Sequence, residues 1–307
     1  MIEIERVSKA YDGRLVVDNV SLAIPAGMFC VLLGPSGSGK STMLRMINRL
    51  IAFDAGAIRV GGADVRAVPP AALRRRIGYA IQSVGLFPHW RIEDNIATVP
   101  RLLKWPRRRV RDRVTELLEL LRLDPATYRG KYPHQLSGGE QQRVGVARAL
   151  AADPDVLLMD EPFAAVDPPT RAALQDELLR IQQATQKTIV FVTHDIEEAL
   201  RLASGIAILD RGRLAQWGAP LDIVERPASL FVADFVGGAA GGLRLLSLHR
   251  VADRVRPGEH ADGEPLSADA SLRDALAAMI ARHAERLPVV DAAGRPLGAI
   301  ALADLVR

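Results

Sequence analysis

Five apolar residues, Phe29-Cys30-Val31-Leu32-Leu33, run straight into Gly34-Pro35-Ser36-Gly37-Ser38-Gly39-Lys40-Ser41, and apolar side chains then recur at helical spacing as far as Leu50. An unbroken apolar run of this length suits a strand covered on both faces. The glycines admit backbone conformations and close approaches that a Cβ would block. Strand, glycine loop and helix in this order is the arrangement in which amides at a helix N-terminus cradle a phosphate. Further apolar runs at residues 156–159 and 188–192 are separated by a helical stretch at 170–184, and residues 205–209 supply another strand. The alternation points to an α/β fold with a parallel sheet and covering helices.

Residues 2–7 alternate apolar with charged side chains, and residues 20–24 follow a turn at Asp12-Gly13, so the chain is expected to open as antiparallel strands. Ile2-Glu3-Ile4-Glu5 reads as strand rather than as a charged-then-apolar leader. Residues 92–123 are more helical, and Ser137 opens another helix reaching Ala151, where Asp153-Pro154 stops it. These two stretches are expected to form a helical insertion. With 307 residues, 49% of them hydrophobic, the chain can bury one large core and a second small one. Composition changes at Gly237-Gly238-Ala239-Ala240-Gly241-Gly242, which reads as a boundary. The expected organisation is a main domain at 1–236, a linker at 237–262 and a small α+β tail at 263–307. In the tail, Leu272, Ala275, Leu276, Met279 and Ile280 mark an amphipathic helix, followed by strands at 287–290 and 297–300 around a turn at Gly294, and a short helix at 302–306.

Lys and Arg number 40 against 36 Asp and Glu, spread along the chain, which gives little reason to expect a nucleic-acid partner. Arg107-Arg108-Arg109 ahead of Val110, Val114, Leu117, Leu118 and Leu121 reads as the basic start of an amphipathic helix with a solvated face. No apolar run approaches the roughly 18 residues that suggest a membrane span. Cys30 is the sole cysteine, so no intrachain disulfide forms, which fits a reduced cytosol; within an apolar strand its expected role is packing.

Two later motifs give the glycine loop its meaning. Residues 156–159 deliver the adjacent carboxylates Asp160 and Glu161, and Leu136-Ser137-Gly138-Gly139-Glu140-Gln141 opens a helix. Together with the loop they resemble the ATP-binding cassette family. The resemblance implies a P-loop ATPase with a β-rich edge, a RecA-like parallel-sheet core and a helical subdomain. It also implies a homodimer, because the signature of one chain closes over ATP held by the loop of another. Gly34, Pro35, Ser36, Gly37, Ser38, Gly39, Lys40, Ser41 and Thr42 would form the cradle, with Lys40 reaching the β- and γ-phosphates. Mg²⁺ would be held by Ser41, by Asp160 through water and by Gln82, the Q-loop residue, which would sense the γ-phosphate together with the metal and so share in catalysis. Glu161 would polarise the attacking water, and His194 would contact the γ-phosphate while holding Glu161 in place. Tyr11 stands where the family stacks an aromatic on adenine. Ser137, Gly138, Gly139 and Glu140 would face the nucleotide of the second chain. The D-loop reads Ala164-Ala165-Val166-Asp167 in place of the common Ser-Ala-Leu-Asp, keeping Asp167.

Cassettes of this kind serve membrane transport, DNA-end processing and translation. The DNA-processing type splits its cassette with a long coiled coil and the translation type carries two cassettes, whereas this chain has one compact cassette. It therefore resembles the separate ATPase subunit of a bacterial importer, peripheral on the cytoplasmic face of the plasma membrane. Such a subunit works with an integral-membrane permease and an extracytoplasmic substrate-binding protein. Residues 83–96, reading SVGLFPHWRIEDNI, would supply part of the permease-docking groove, with Phe87 and Trp90 as apolar contacts. Residues 46–50 and 80–89, with the tail, are similar to ATPases of glycine betaine, carnitine or choline importers. Another small solute (an amino acid, polyamine or sugar) is the alternative cargo, and a nucleic-acid ATPase the alternative class. The tail resembles a single CBS repeat, a module that ordinarily works in pairs. Its pattern Gly298-Ala299-Ile300-Ala301-Leu302-Ala303-Asp304 has Ala301 where nucleotide-contacting repeats carry Thr or Ser. A gating or dimerising tail with weak or no nucleotide binding is the expectation.

Overall fold

The computed structural model describes residues 1–81, 85–164, 166–237 and 241–305. The chain divides into two compact units, Met1–Gly218 and Ala219–Arg307. In the first, strands Ile2–Tyr11 and Arg14–Ile24 form a hairpin that turns at Asp12-Gly13, both at positive φ. Ala55–Val60 and Ala63–Asp64 extend it into a four-stranded antiparallel sheet ordered 14–24, 2–11, 55–60, 63–64. This is the β-rich edge that the alternation at residues 2–7 foreshadows.

The second sheet has six strands in the order Arg213–Gly218, Gly205–Asp210, Phe29–Leu33, Thr188–Val192, Val156–Asp160, Ile77–Ala80. All neighbours run parallel except the outer pair Arg213–Gly218 and Gly205–Asp210. Every residue of Phe29–Leu33, Thr188–Val192 and Val156–Asp160 is buried. Central parallel strands are covered on both faces, which is why these three stand out as continuous apolar runs. Ile77–Ala80 is only four residues long and contains Gly78, so it does not stand out.

Helix Lys40–Ile47 positions the glycine loop. Its buried Met43, Leu44, Met46 and Ile47 join one apolar core with Val20 and Ile24 of the first sheet and Leu32, Leu158 and Val190 of the second. Truncating one such side chain to alanine costs about 2–5 kcal/mol, so the helix start is held by a large share of the unit's stability. The helical region comprises Ile92–Ile96, Thr98–Leu102, Arg107–Leu120, Pro125–Tyr128 and Gly138–Leu150. The stretch expected at 92–123 is thus three helices, the third restarting after Pro106, which supplies no N–H. Gly138–Leu150 lies against Ile77–Ala80 so closely that a Cβ on Gly78 would come within 2.3 Å of the Ala149 carbonyl oxygen.

In the second unit, helices Pro220–Glu225, Leu230–Val236 and Gly241–Leu248 precede a sheet ordered Leu266–Ser267, Arg286–Val290, Pro296–Ala301. Its first pair is parallel and its second antiparallel. Helix Leu272–Arg282 covers a core of Val251, Leu272, Ala275, Met279, Leu287, Val289, Ile300 and Leu305. The unit begins at Ala219, ahead of the compositional change at Gly237, because Pro220–Glu225 packs on Gly241–Leu248. Residues 241–262 also hold more structure than a plain linker, since Val251 is fully buried in the tail core. Residues 238–240, and Val306 of the short helix expected at 302–306, lie outside the described residues; Leu302–Asp304 is a single 3-10 turn. Among the described residues no single helix is long and apolar enough to cross a membrane.

Candidate nucleotide site

The loop between Phe29–Leu33 and Lys40–Ile47 turns through positive φ at Gly34 (148°), Gly37 (79°) and Gly39 (99°). A Cβ at Gly34 would lie 2.1 Å from the Leu209 carbonyl oxygen, and one at Gly39 would lie 2.7 Å from that of Val16. Those two glycines let the loop dock on neighbouring chain. Gly37 has nothing within 4 Å of where a Cβ would stand, so there glycine serves the backbone turn and leaves open space beside it. Ser38 is buried and its amide donates to the Pro35 carbonyl at 3.2 Å, while Ser36 is exposed. Thr42 follows in the first turn of the helix.

Lys40 is buried beneath this loop, its ammonium donating to the carbonyls of Gly34 at 2.7 Å and Pro35 at 2.8 Å. Burial lowers its pKa, and the carboxylates of Glu161 and Asp160 partly offset the shift. The Ser41 hydroxyl donates to Asp160 Oδ1 at 2.8 Å. Asp160 ends its strand fully buried; burial raises its pKa, against the pull of Ser41 and Arg45. A hydroxyl and a carboxylate side by side are hard oxygen donors of the kind Mg²⁺ takes. Among the described residues no group of three or more His, Cys, Asp or Glu side chains is gathered for a metal.

Glu161 leaves the same strand at φ 46°, a left-handed conformation that costs a non-glycine residue about 1–2 kcal/mol. Its amide donates to the Val192 carbonyl at 3.1 Å, tying this turn to the strand that precedes His194. Glu161 Oε1 and His194 Nδ1 stand 3.2 Å apart. Beside the pair lies a cleft of about 100 Å³ lined by Arg171, Thr193, Asp195 and Glu198 among others. The Glu198 carboxylate accepts from Gln175 Nε2 at 2.9 Å, and burial raises its pKa. Sequence reasoning missed Glu198, Gln175 and Arg171; the one available signal was an acid one helical turn beyond His194.

Lys40, Ser41, Asp160, Glu161 and His194 are therefore brought together at the ends of adjacent parallel strands. Ser137 and the two signature glycines make local contacts instead. Ser137 caps Gly138–Leu150, its hydroxyl accepting from the Glu140 amide at 3.3 Å, and Gly138 and Gly139 form the first turn. Asp167 caps Pro168–Thr185 by accepting from the Thr170 amide at 3.1 Å, which holds its carboxyl below the usual range. Tyr11 ends its strand 43% exposed, with the Lys9 ammonium 5.2 Å from the ring centroid. Gln82 and Ala165 lie outside the described residues. Cys30 is fully buried and its thiol pKa is pushed far up, which removes it as a nucleophile.

A second surface feature stands on the helical region. Phe87 and Trp90 are exposed and their ring centroids lie 4.5 Å apart. The fully buried Asn95 holds this turn: its Oδ1 accepts from the Phe87 amide at 2.7 Å, and its Nδ2 donates to the Trp90 carbonyl at 3.2 Å. Asn95 was not anticipated from the sequence.

Comparison with known proteins gives this geometry its family. The model of the family described as ABC transporter matches residues 17–164, and that of the CBS domain matches residues 265–307. The glycine betaine uptake system ATP-binding protein YehX of Escherichia coli (strain K12) is 56% identical over 306 residues, covering 100% of this chain and 99% of that protein. The glycine betaine/carnitine/choline transport ATP-binding protein OpuCA of Bacillus subtilis (strain 168) is 46% identical over 95% of this chain and 76% of its own length. Among solved structures, the dimeric post-hydrolysis state of the ATP-binding cassette MJ0796 bound to ADP and Pi superposes with a TM-score of 0.67 at 32% identity, covering 72% of this chain and 99% of that one. With its loop, its adjacent carboxylates and its histidine assembled on a parallel sheet, and with a relative alike from end to end, this chain belongs to the ABC transporter family as an ATP-hydrolysing, ATP-binding subunit.

Proposed function

We propose that this subunit powers import of a quaternary-amine osmoprotectant, such as glycine betaine, carnitine or choline, through a separate permease. The observation that carries the reading is coverage. The glycine betaine relative aligns across the whole chain, tail included. A sulfate/thiosulfate import ATP-binding protein of Nocardia farcinica (strain IFM 10152) is 45% identical, close to the 46% of OpuCA, yet aligns over 78% of this chain against 95% for OpuCA. Similarity that extends through the tail favours the quaternary-amine group over importers that share the cassette alone.

In this reading the Gly34–Gly39 loop receives the ATP phosphates, and Lys40 exchanges its loop carbonyls for β- and γ-phosphate oxygens. Ser41, Asp160 and Gln82 would hold Mg²⁺, which when bound neutralises charge on the phosphates. Glu161 accepts a proton from the attacking water, and His194, already within hydrogen-bonding distance, keeps that carboxylate aimed. Tyr11 stacks on the adenine. The site is completed by a second copy of the chain, whose Ser137 hydroxyl and Gly139 amide donate to the γ-phosphate from a helix N-terminus, with Asp167 beside the junction. Phe87 and Trp90 form the apolar anchor for the permease, and an extracytoplasmic binding protein delivers the cargo. The subunit works at the cytoplasmic face of the membrane.

The test is ATPase activity of the chain reconstituted with its permease and binding protein, with and without glycine betaine. Stimulation by betaine that disappears in Lys40→Ala is the expected result. Stimulation by another solute alone would retain the transporter ATPase and discard the quaternary-amine cargo.

A further inference from the structure

The signature stretch is held by a side chain that lies outside its motif. Glu140 divides its two carboxylate oxygens. Oε2 accepts from the Ser137 amide at 2.7 Å and from the Ser137 hydroxyl at 2.9 Å. Oε1 accepts from the phenol of Tyr128 at 2.5 Å. Tyr128 comes from the short helix Pro125–Tyr128, which Asp124 caps by accepting from the Ala126 and Thr127 amides at 3.3 and 3.0 Å. The Lys131 ammonium sits 4.2 Å from the centroid of the tyrosine ring. The helix and ring of Tyr128 are therefore held by contacts outside the signature helix.

A capping box requires only the serine and the acid three residues on. A carboxylate with one free oxygen can rotate about its last torsion, and a serine hydroxyl rotates to suit its partner. Fixing Oε1 removes the first freedom, and Oε2 then removes the second. The same bonds keep Glu140 ionised by lowering its pKa, which preserves it as an acceptor for both groups of Ser137.

We propose that Tyr128 is a positioning residue for the signature serine: acting through Glu140, it sets the orientation in which Ser137 meets the nucleotide held by a second copy of the chain. The inference rests on the role given to Ser137 above. Its consequence is a chain of three groups in which loss of the phenol acts only while the carboxylate is present.

The experiment is steady-state ATPase of the full-length chain over a range of ATP concentrations, with thermal melting in parallel. Tyr128→Phe should raise KM roughly three- to tenfold while kcat changes less than about twofold. In a Glu140→Ala background the same change should add nothing, because the effect passes through that carboxylate. Glu140→Gln, which keeps an acceptor for the serine, should be milder than Glu140→Ala. Ser137→Ala separates the two layers. If it leaves KM unchanged, the role of Ser137 fails and the inference with it. If it raises KM while Tyr128→Phe does not, the inference alone is overturned. Equal effects of Tyr128→Phe with and without Glu140, or a lowered melting temperature at constant KM, would show a structural role only.

Discussion

Two glycines at positive φ, one in the nucleotide loop and one inside a strand of the tail, are put to opposite uses. At Gly37 the backbone turns through φ 79° with nothing within 4 Å of an added Cβ; Gly298, within strand Pro296–Ala301, has φ 144°, and an added Cβ would lie 2.2 Å from the Arg256 carbonyl oxygen. The nucleotide loop keeps space beside its glycine, whereas the tail fills that space with its own backbone. The ionic groups follow suit. Lys40 donates to carbonyls of its own loop, an arrangement that the proposed site would exchange for phosphate. Asp304, buried in the tail, accepts from Arg256 Nε at 3.0 Å and Nη2 at 2.5 Å, and from the Ala301 amide at 3.0 Å. A glycine thus announces a close approach without saying whether a ligand or the chain makes it. The filled space beside Gly298, together with Ala301, supports a tail that works by packing rather than by holding a nucleotide.

The contrast can be broken in four places, beginning with the largest effect. Lys40→Ala should lower ATP turnover by about 100-fold or more while leaving circular dichroism unchanged, since it removes the fixed cation of the open loop. Gly298→Ala should destabilise the tail by about 3 kcal/mol, through the clash with Arg256 and the unfavourable φ, and leave turnover intact. Gly37→Ala, strained in φ alone, should cost only about 1 kcal/mol in a denaturant titration yet weaken ATP binding. Equal stability losses at the two glycines would erase the distinction. The smallest effect concerns Glu198, a carboxylate held by neutral Gln175 where Asp304 is held by an arginine. Burial raises its pKa above that of the unfolded chain, so its protonated form stabilises the fold in acid, and that contribution is lost as pH rises through the folded value. Glu198→Gln should therefore melt slightly above the parent at neutral pH, with the difference vanishing in acid.

What was legible in the sequence was contiguous. The strand, loop and helix from Phe29 to Ile47 announce themselves because a both-faces-covered strand, three glycines and a lysine are consecutive. Asp160 and Glu161 are equally plain at the end of an apolar run. The partners that hold these groups were not legible, because each lies outside the motif it serves. Gln175 reaches Glu198 from another helix, Asn95 ties down the turn carrying Phe87, and Tyr128 reaches Glu140 from a separate short helix. No period or motif marks such pairs. The tail shows a different failure: the glycine and alanine run from residue 237 reads as linker, yet Val251 beyond it is core and Arg256 pairs with the last strand and turn.

The proposed nucleotide site is shared between two copies of the chain, with Glu161 as the base. Sedimentation velocity of full-length Glu161→Gln, with and without ATP and Mg²⁺, tests both at once. A monomer that becomes a stable dimer with ATP and persists without turning it over is the result expected. A chain that stays monomeric with ATP, or that forms a dimer and disperses it by rapid hydrolysis, would contradict the shared site or the role of Glu161.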